Sequence, residues 1–326
     1  MLRLLLAAIL LISGCTGKVK PVPPEMANLQ SAELTGTPFY AQEKYQCGPA
    51  SLAMLLGASG IRVHPDQLKP LMYIPARKGS LQLELTSAAR QYGRIPYRIS
   101  PDLPSLSKMV RSGRPVLVLQ NLGLKIWPIY HYAVVIGILR DNTVVLRSGT
   151  DYRLEMTATD FWRTWYLADF WGMVVLRPGE LPDHAEPERF VDAVTALERV
   201  GEISVVSKSL QAALDRWPDH PLVLFAYANS CLSLKDWEQA QSIYRKLLAI
   251  EPNHIGAANN LADTLVKIGC YRQANRLILK TLEKADQMGS PLLPIVRQTH
   301  LEILSLLKSH PRFSEGDFCL PLESEY

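Results

Sequence analysis

The second half of this 326-residue chain repeats itself at an interval of 34 residues. Pro218 and Pro252 lie 34 positions apart, and so do Ala240 and Ala274. Helical periodicity dominates this part of the sequence, and no convincing strand pattern follows about Pro187. A fixed period of this length predicts helix pairs stacked into a solenoid, because a single pair cannot bury its apolar face alone.

This spacing resembles the tetratricopeptide repeat, with a small residue where two helices cross and a proline at the close of each unit. We place units at 187–220, 221–254 and 255–288, with a capping helix from about Pro291 to Ser309 inside a repeat domain of 187–310. The first unit departs from the pattern, since Val206 stands where the crossing alanine is expected. The alternative is an unrelated helical bundle with coincident spacing. The resemblance implies a protein partner that docks on the repeats.

The first residues look like an export signal, with one positive charge and an apolar run too short to cross a membrane. The four residues that end at Cys15, Ile-Ser-Gly-Cys, resemble the bacterial lipobox, in which the cysteine is acylated and becomes the new N-terminus. We therefore expect a signal peptide at 1–14, lipidation at Cys15, a tether at 15–36 and attachment to a membrane. By resemblance to lipoprotein sorting patterns, Thr16 after the cysteine, rather than Asp, implies the outer membrane, facing the periplasm. A plain secretory signal is the alternative.

Composition excludes some classes of function. The chain is 48% hydrophobic and 20% charged, which is typical of a folded protein. Its net charge of +4 is spread along the sequence rather than gathered in a basic block, so no nucleic-acid partner is implied. Exported proteins meet an oxidising compartment, and the pairing of Cys231, Cys270 and Cys319 stays open.

The segment from about Thr37 to Pro178 mixes two patterns, with helical periodicity first and strand-like runs later. We predict helices at 48–58, 65–72, 80–92 (capped by Ser80) and 103–112, and strands at 95–99, 115–120, 131–139, 143–147 and 171–176. Helices followed by a mostly antiparallel sheet make an α+β domain at 37–178, and 311–326 forms a tail.

Cys47 lies in Gln-Cys-Gly-Pro-Ala, where an irregular segment enters an apolar helix. The free N–H groups of a first helical turn stabilise a thiolate, so we expect a lowered pKa for the Cys47 thiol. A thiolate nucleophile also needs a base and donors for the oxyanion. His131 opens a predicted strand and is the candidate base, and Gln42 with the Cys47 N–H is the candidate oxyanion site. Taken singly, a buried structural cysteine and a strand histidine are the commoner interpretations.

In order along the chain, Gln42, then Cys-Gly-Pro-Ala at a helix start and His-Tyr-x-Val-Val-x-Gly on a strand resemble the papain-fold cysteine peptidases of family 39. The founding members of that family cut double-glycine leader peptides. The resemblance implies a papain-like domain with Cys47 as nucleophile, His131 as general base and then acid, and Gln42 as oxyanion donor. As a whole, the chain resembles exported bacterial lipoproteins that join such a domain to tetratricopeptide repeats.

One position departs from the family pattern, which places an Asp in an Asp-Pro pair after the next strand to hold the histidine ring. This chain has Arg147 and Ser148 there. Ser148, or Asp151 if the loop folds back, is the candidate orienting residue. No histidine shows metal-ligand spacing and no glycine-rich phosphate loop is present, so neither a metal nor a cofactor is implied. Trp162, Trp165 and the other aromatic residues around 161–171 are expected in the core rather than in a substrate groove.

The sequence thus predicts an α+β papain-like cysteine peptidase domain followed by an all-α tetratricopeptide-repeat solenoid. The expected function is a lipid-anchored periplasmic cysteine peptidase acting on a peptide or protein substrate. Two alternatives stay open. One is a weak or inactive peptidase-like scaffold that binds proteins through its repeats, and the other is transfer of the acyl group to an amine instead of water.

Overall fold

The computed structural model describes residues 31–42, 46–77 and 79–309. The predicted signal peptide, Cys15, most of the tether and the 311–326 tail lie outside these residues. Seven strands occur in the described part of the chain: β1 (Ala32–Glu33), β2 (Ile95–Arg98), β3 (Val116–Asn121), β4 (Tyr130–Ile138), β5 (Val144–Ser148), β6 (Asp151–Met156) and β7 (Gly172–Leu176). They form one sheet in the order β2-β7-β3-β4-β5-β6, and β1 pairs with β4.

The described helices of the α+β part are α1 (Cys47–Ala58), α2 (Pro65–Met72), α3 (Gln82–Gln91), α4 (Leu103–Arg111) and α5 (Ala158–Tyr166). Those that follow the sheet are α6 (Pro187–Thr195), α7 (Ile203–Arg216), α8 (Pro221–Ser233), α9 (Trp237–Ile250), α10 (Ile255–Lys267), α11 (Tyr271–Gln287) and α12 (Leu293–Ser309). The predicted fold class is confirmed: an α+β domain with an antiparallel sheet precedes a helical repeat region.

Strand β4 lies at the centre of the sheet. It pairs antiparallel with β3 on one side, where Leu119 lies opposite Tyr132. On the other side it pairs with β5, with Val134 opposite Arg147. Helix α1 packs against β4, and its residues from Gly48 to Leu56 are all buried. A helix that is apolar on every side has no solvent face, so α1 is fixed inside the domain.

Three elements of the sheet domain were not predicted. Strand β1 falls inside the predicted tether and pairs with β4. Strand β6 is polar and largely exposed, and it exists because it pairs with β5. Helix α5 begins at Thr157, whose hydroxyl accepts a hydrogen bond from the Asp160 N–H at 3.1 Å. The predicted cap of α3 was wrong. That helix begins at Gln82, and the Ser80 hydroxyl makes no hydrogen bond within the described residues.

The described chain divides into two compact units. The first comprises the residues up to Ala88 together with Arg98–Val174, and the second comprises Ala89–Tyr97 together with the residues from Val175 onward. The predicted domain boundaries stay predictions. Within the described residues, no helix is long and apolar enough to cross a membrane.

In the second unit, consecutive helices from α6 to α12 pack on one another. Helices α8 with α9 and α10 with α11 coincide with the second and third predicted repeats. Ala240, Ala274 and Val206 are all completely buried. The two alanines that carry the 34-residue spacing are thus core residues of the repeat region, as is Val206.

Candidate active site

Cys47 is the first residue of α1 and is partly exposed. Gly48, the residue that follows Cys47, is required for steric reasons. A Cβ at position 48 would lie 2.7 Å from the Ser80 hydroxyl oxygen, so only glycine lets the segment before α3 approach the helix start. The Cys-Gly pair thus holds the thiol beside the chain that enters α3.

The backbone of Tyr132 contacts two of the predicted site residues. Its N–H donates a hydrogen bond to the Cys47 side chain. Its carbonyl oxygen accepts from the Gln42 side-chain amide at 3.3 Å and from the Ser51 hydroxyl at 3.4 Å. His131 directly precedes Tyr132, so the candidate base lies on the same strand as the residue whose backbone contacts both Cys47 and Gln42.

The His131 imidazole is held by Ser148. Its Nε2 atom lies 2.9 Å from the Ser148 hydroxyl oxygen, and Ser148 is 8% exposed at the end of β5. Asp151, the other orienting candidate, is exposed at the start of β6, and it pairs with Ser148 across the β5–β6 hairpin. Burial lowers the pKa of His131 below its usual range, which favours the neutral ring.

The expected direction of the Cys47 pKa was wrong. Burial raises the pKa of the Cys47 thiol above its usual value. The N–H groups of Tyr132, Gly48 and Cys47 itself act in the opposite direction, as the position at a helix start indicated, but the loss of hydration outweighs them. Both shifts favour the neutral forms of the two side chains.

The side-chain amide of Gln42 is directed at Ser51 and at the Tyr132 carbonyl. The Gln42 Nε2 atom is 3.3 Å from both the Ser51 hydroxyl oxygen and the Tyr132 carbonyl oxygen. The Gln42 Oε1 atom is buried and has no hydrogen-bond partner in the described part of the chain. Both contacts are long, so little energy holds the amide in this orientation.

Arg147 has a structural role that the sequence analysis missed. The side chain is 1% exposed, and its guanidinium donates to the carbonyl oxygens of Thr35 and Thr37 at 3.2 Å and to that of Tyr152. It also lies 3.5 Å from the centre of the Tyr152 ring. The only signal was an arginine at a position where the strand pattern calls for an apolar residue. Arg147 therefore holds Thr35 and Thr37, in the segment before Gln42, by hydrogen bonds to their carbonyl oxygens.

An open cavity of about 470 Å³ adjoins Cys47 within the first unit. Apart from Cys47, none of its lining residues was assigned to the site from the sequence. They are Arg77, Gly79, Ser80, Leu81, Gln82, Leu119, Pro128, Tyr130, Tyr132, Ala168 and Asp169. Phe161, Trp162, Trp165 and Trp171 lie in the core instead, each no more than 5% exposed.

The other candidate groups are placed as follows. Among the described residues, no group of three His, Cys, Asp or Glu side chains is arranged to hold a metal ion. Cys47 and Cys231 carry free thiols, and Cys270 is disulfide-bonded.

Residues 34–168 match the model of the Peptidase_C39-like family. This part of the chain is a C39-peptidase-like domain. The match includes Gln42, Cys47, His131, Ser148 and Asp151, so every predicted catalytic, oxyanion and orienting residue lies in the C39-like domain.

Three further proteins are similar to parts of the chain. The peroxisomal targeting signal receptor of Kluyveromyces lactis is 31% identical over 98 residues, which are 30% of this chain. The chain spans 17% of the length of that receptor. The TPR2B-domain:pHsp70 complex of yeast Sti1 is 14% identical, with a TM-score of 0.35, over 37% of this chain and 97% of that chain. The Sgt2 TPR domain from Aspergillus fumigatus is 16% identical, with a TM-score of 0.35, over 43% of this chain and 90% of that one.

Proposed function

We propose that the protein is a cysteine peptidase in which Cys47 attacks a peptide carbonyl and His131 moves the proton. The observation that carries this proposal is the hydrogen bond from the backbone N–H of Tyr132 to the Cys47 side chain. Tyr132 is the residue that follows His131. With Nε2 of His131 engaged by Ser148, Nδ1 is the ring nitrogen left for the thiol. If Nε2–H donates to Ser148, Nδ1 carries the lone pair that a base needs.

The proposed reaction uses the neutral pair. His131 Nδ1 takes the Cys47 proton as the sulfur bonds to the substrate carbonyl carbon, and the carbonyl oxygen becomes an oxyanion. The Cys47 N–H and, after rotation of its amide, Gln42 donate to that oxygen. The imidazolium then protonates the leaving amine as the C–N bond breaks. Finally His131 deprotonates a water that cleaves the thioester and restores the thiol.

We further propose that the protein is anchored by a lipid on Cys15 in the outer membrane and faces the periplasm. The Ile-Ser-Gly-Cys sequence supports this part of the proposal. The helical repeats would dock a protein partner or present the substrate, since stacked helix pairs offer an extended surface of side chains.

A thiol-directed peptidyl epoxide tests the catalytic proposal, with Cys231 as an internal control. Cys231 is also a free thiol, but it is 2% exposed and lies in the repeat region. We expect mass spectrometry to find the label on Cys47 at least about tenfold faster than on Cys231, with labelling lost in His131→Ala. Equal labelling of the two thiols would overturn the proposal.

The second candidate function is a scaffold that binds proteins and does no chemistry. Two observations favour it: the amide hydrogens of Gln42 are directed at Ser51 and Tyr132, and the described contact of the His131 ring is with a hydroxyl rather than a carboxylate. The two functions differ in which variants lose activity in cells. A phenotype that survives Cys47→Ala but is lost in Leu222→Asp, at an exposed residue of α8, would support the scaffold.

A further inference from the structure

The cavity beside Cys47 has an apolar wall built by two paired strands. Leu119 and Tyr132 lie directly opposite each other in the β3–β4 register, and directly opposed residues project from the same face of a sheet. Tyr130 is two residues before Tyr132 and projects from that face as well. With Pro128 and Ala168 they line the cavity, whose other lining residues include the polar Arg77, Gln82 and Asp169.

This wall is held in place before any ligand binds. The Asn121 side-chain oxygen accepts hydrogen bonds from the backbone N–H groups of Gly123 at 3.0 Å and Ile129 at 2.9 Å. A Cβ at Gly123 would collide with the Trp127 carbonyl oxygen, so the two arms of the hairpin approach closely. The hairpin after β3 is thus held in one conformation by side-chain and backbone contacts.

The apolar surface of the hairpin is unusually exposed. Tyr130 is 58% exposed and Trp127 is 78% exposed. Isolated exposed apolar residues are ordinary, but a contiguous set marks a binding surface. Here the set is continuous with the cavity that contains Cys47, through Pro128 and Tyr130.

The volume of the cavity indicates the size of the substrate side chain that it can hold. A substrate with glycine on both sides of its reactive position would place no side chain in this space. About 470 Å³ is within the range of sites that hold small organic ligands, roughly 300–1,000 Å³, and leaves room for a large side chain together with its backbone. Ser80 lines the same cavity, and its hydroxyl oxygen is buried without a partner in the described residues.

We propose that this cavity binds a bulky apolar or aromatic side chain next to the scissile bond of a peptide substrate, and that Tyr130 is a specificity-determining residue. This rests on the proposed peptidase function. It gives that function a substrate class different from the double-glycine leader peptides that the founding members of the family cut.

Two series of measurements test the proposal. The first uses the inactive variant Cys47→Ala and fluorescent peptides that are identical except for Gly, Leu or Phe at each residue flanking the intended scissile bond. At one flanking position we expect Leu and Phe peptides to bind at least about tenfold more tightly than the Gly peptide. Adding Tyr130→Ala should remove most of that difference. Leu122→Ala, on the same hairpin but outside the cavity lining, should preserve it.

The second series measures kcat/KM of the wild-type protein on the same peptides, with the same expected order. If no peptide is cleaved but the binding preference is found, the peptidase function fails and the apolar site stands. If peptides are cleaved but Gly is accepted as well as Phe at every position, the apolar site fails and the peptidase function stands. A uniform effect of Tyr130→Ala on all peptides also overturns the role assigned to Tyr130.

Discussion

The hydrogen bond between His131 and Ser148 makes a quantitative prediction. Ser148→Ala removes the 2.9 Å contact to Nε2 and leaves the ring nitrogen without its partner. A neutral hydrogen bond is worth about 0.5–1.5 kcal/mol, which converts to a loss of roughly 2- to 13-fold in kcat/KM. Ser148→Asp supplies the carboxylate that the family pattern expects. Hydrogen bonds to charged groups are worth about 1.5–3 kcal/mol, about 1–1.5 kcal/mol more than the neutral bond, so we expect a gain of roughly 5- to 13-fold over the wild type.

The assay is kcat/KM for a fluorogenic peptide as a function of pH. The carboxylate introduced by Ser148→Asp would stabilise the imidazolium and raise the pKa of His131, so the acidic limb of the profile moves to higher pH in that variant. Ser59→Ala is the control, because it removes a 2.8 Å hydrogen bond to the Leu56 carbonyl at the far end of α1. The reasoning is refuted if Ser148→Ala equals the wild type, or if Ser148→Asp lowers activity without moving the profile.

Three further predictions concern the surroundings of the site. Arg147→Ala leaves three carbonyl groups without their donor and should lower the free energy of unfolding by roughly 2–5 kcal/mol in urea titrations, whereas Arg153→Ala, which breaks only exposed ion pairs, should cost about 1 kcal/mol or less. Equal losses of unfolding free energy in the two variants would contradict the structural role assigned to Arg147. Gly48→Ala should abolish or strongly reduce activity by collision with Ser80, and the added change Ser80→Gly should restore part of it; no rescue would contradict the steric reason. Since burial raises the pKa of the Cys47 thiol, alkylation by iodoacetamide should be slow at neutral pH and keep rising beyond about pH 8.5, the range of an ordinary thiol. A fast plateau in acid would show a thiolate–imidazolium pair instead.

The sequence was a good guide where periodicity or a motif carried the information. The bounds of α2 agree with the prediction to the residue, and α1 differs from it by one residue at its start. Strand β6 was not predictable from hydrophobic pattern, because an exposed strand paired along β5 buries little of either face. Helix α5 was missed although Thr157 and Asp160 stand at the spacing of a helix N-cap.

At the candidate site, the sequence identified the residues but not their energetics. It placed Cys47 at a helix start, and the N–H donors that follow from that position are present. Whether the pKa of Cys47 rises or falls depends on how far folding shields the thiol from water. A local sequence pattern does not predict that. The structural role of Arg147 likewise depends on hydrogen bonds to Thr37 and Thr35, which are 110 and 112 positions away in the chain.

The most direct test of the account measures peptide hydrolysis in Cys47→Ala, His131→Ala and the variant that carries both changes. Residues that act as one catalytic unit have strongly non-additive effects. We expect each single change to reduce kcat/KM by at least about 10⁴-fold and the double change to cost little more. Activity that persists in either single variant, or losses that multiply in the double variant, would contradict the claim that Cys47 and His131 form one catalytic pair.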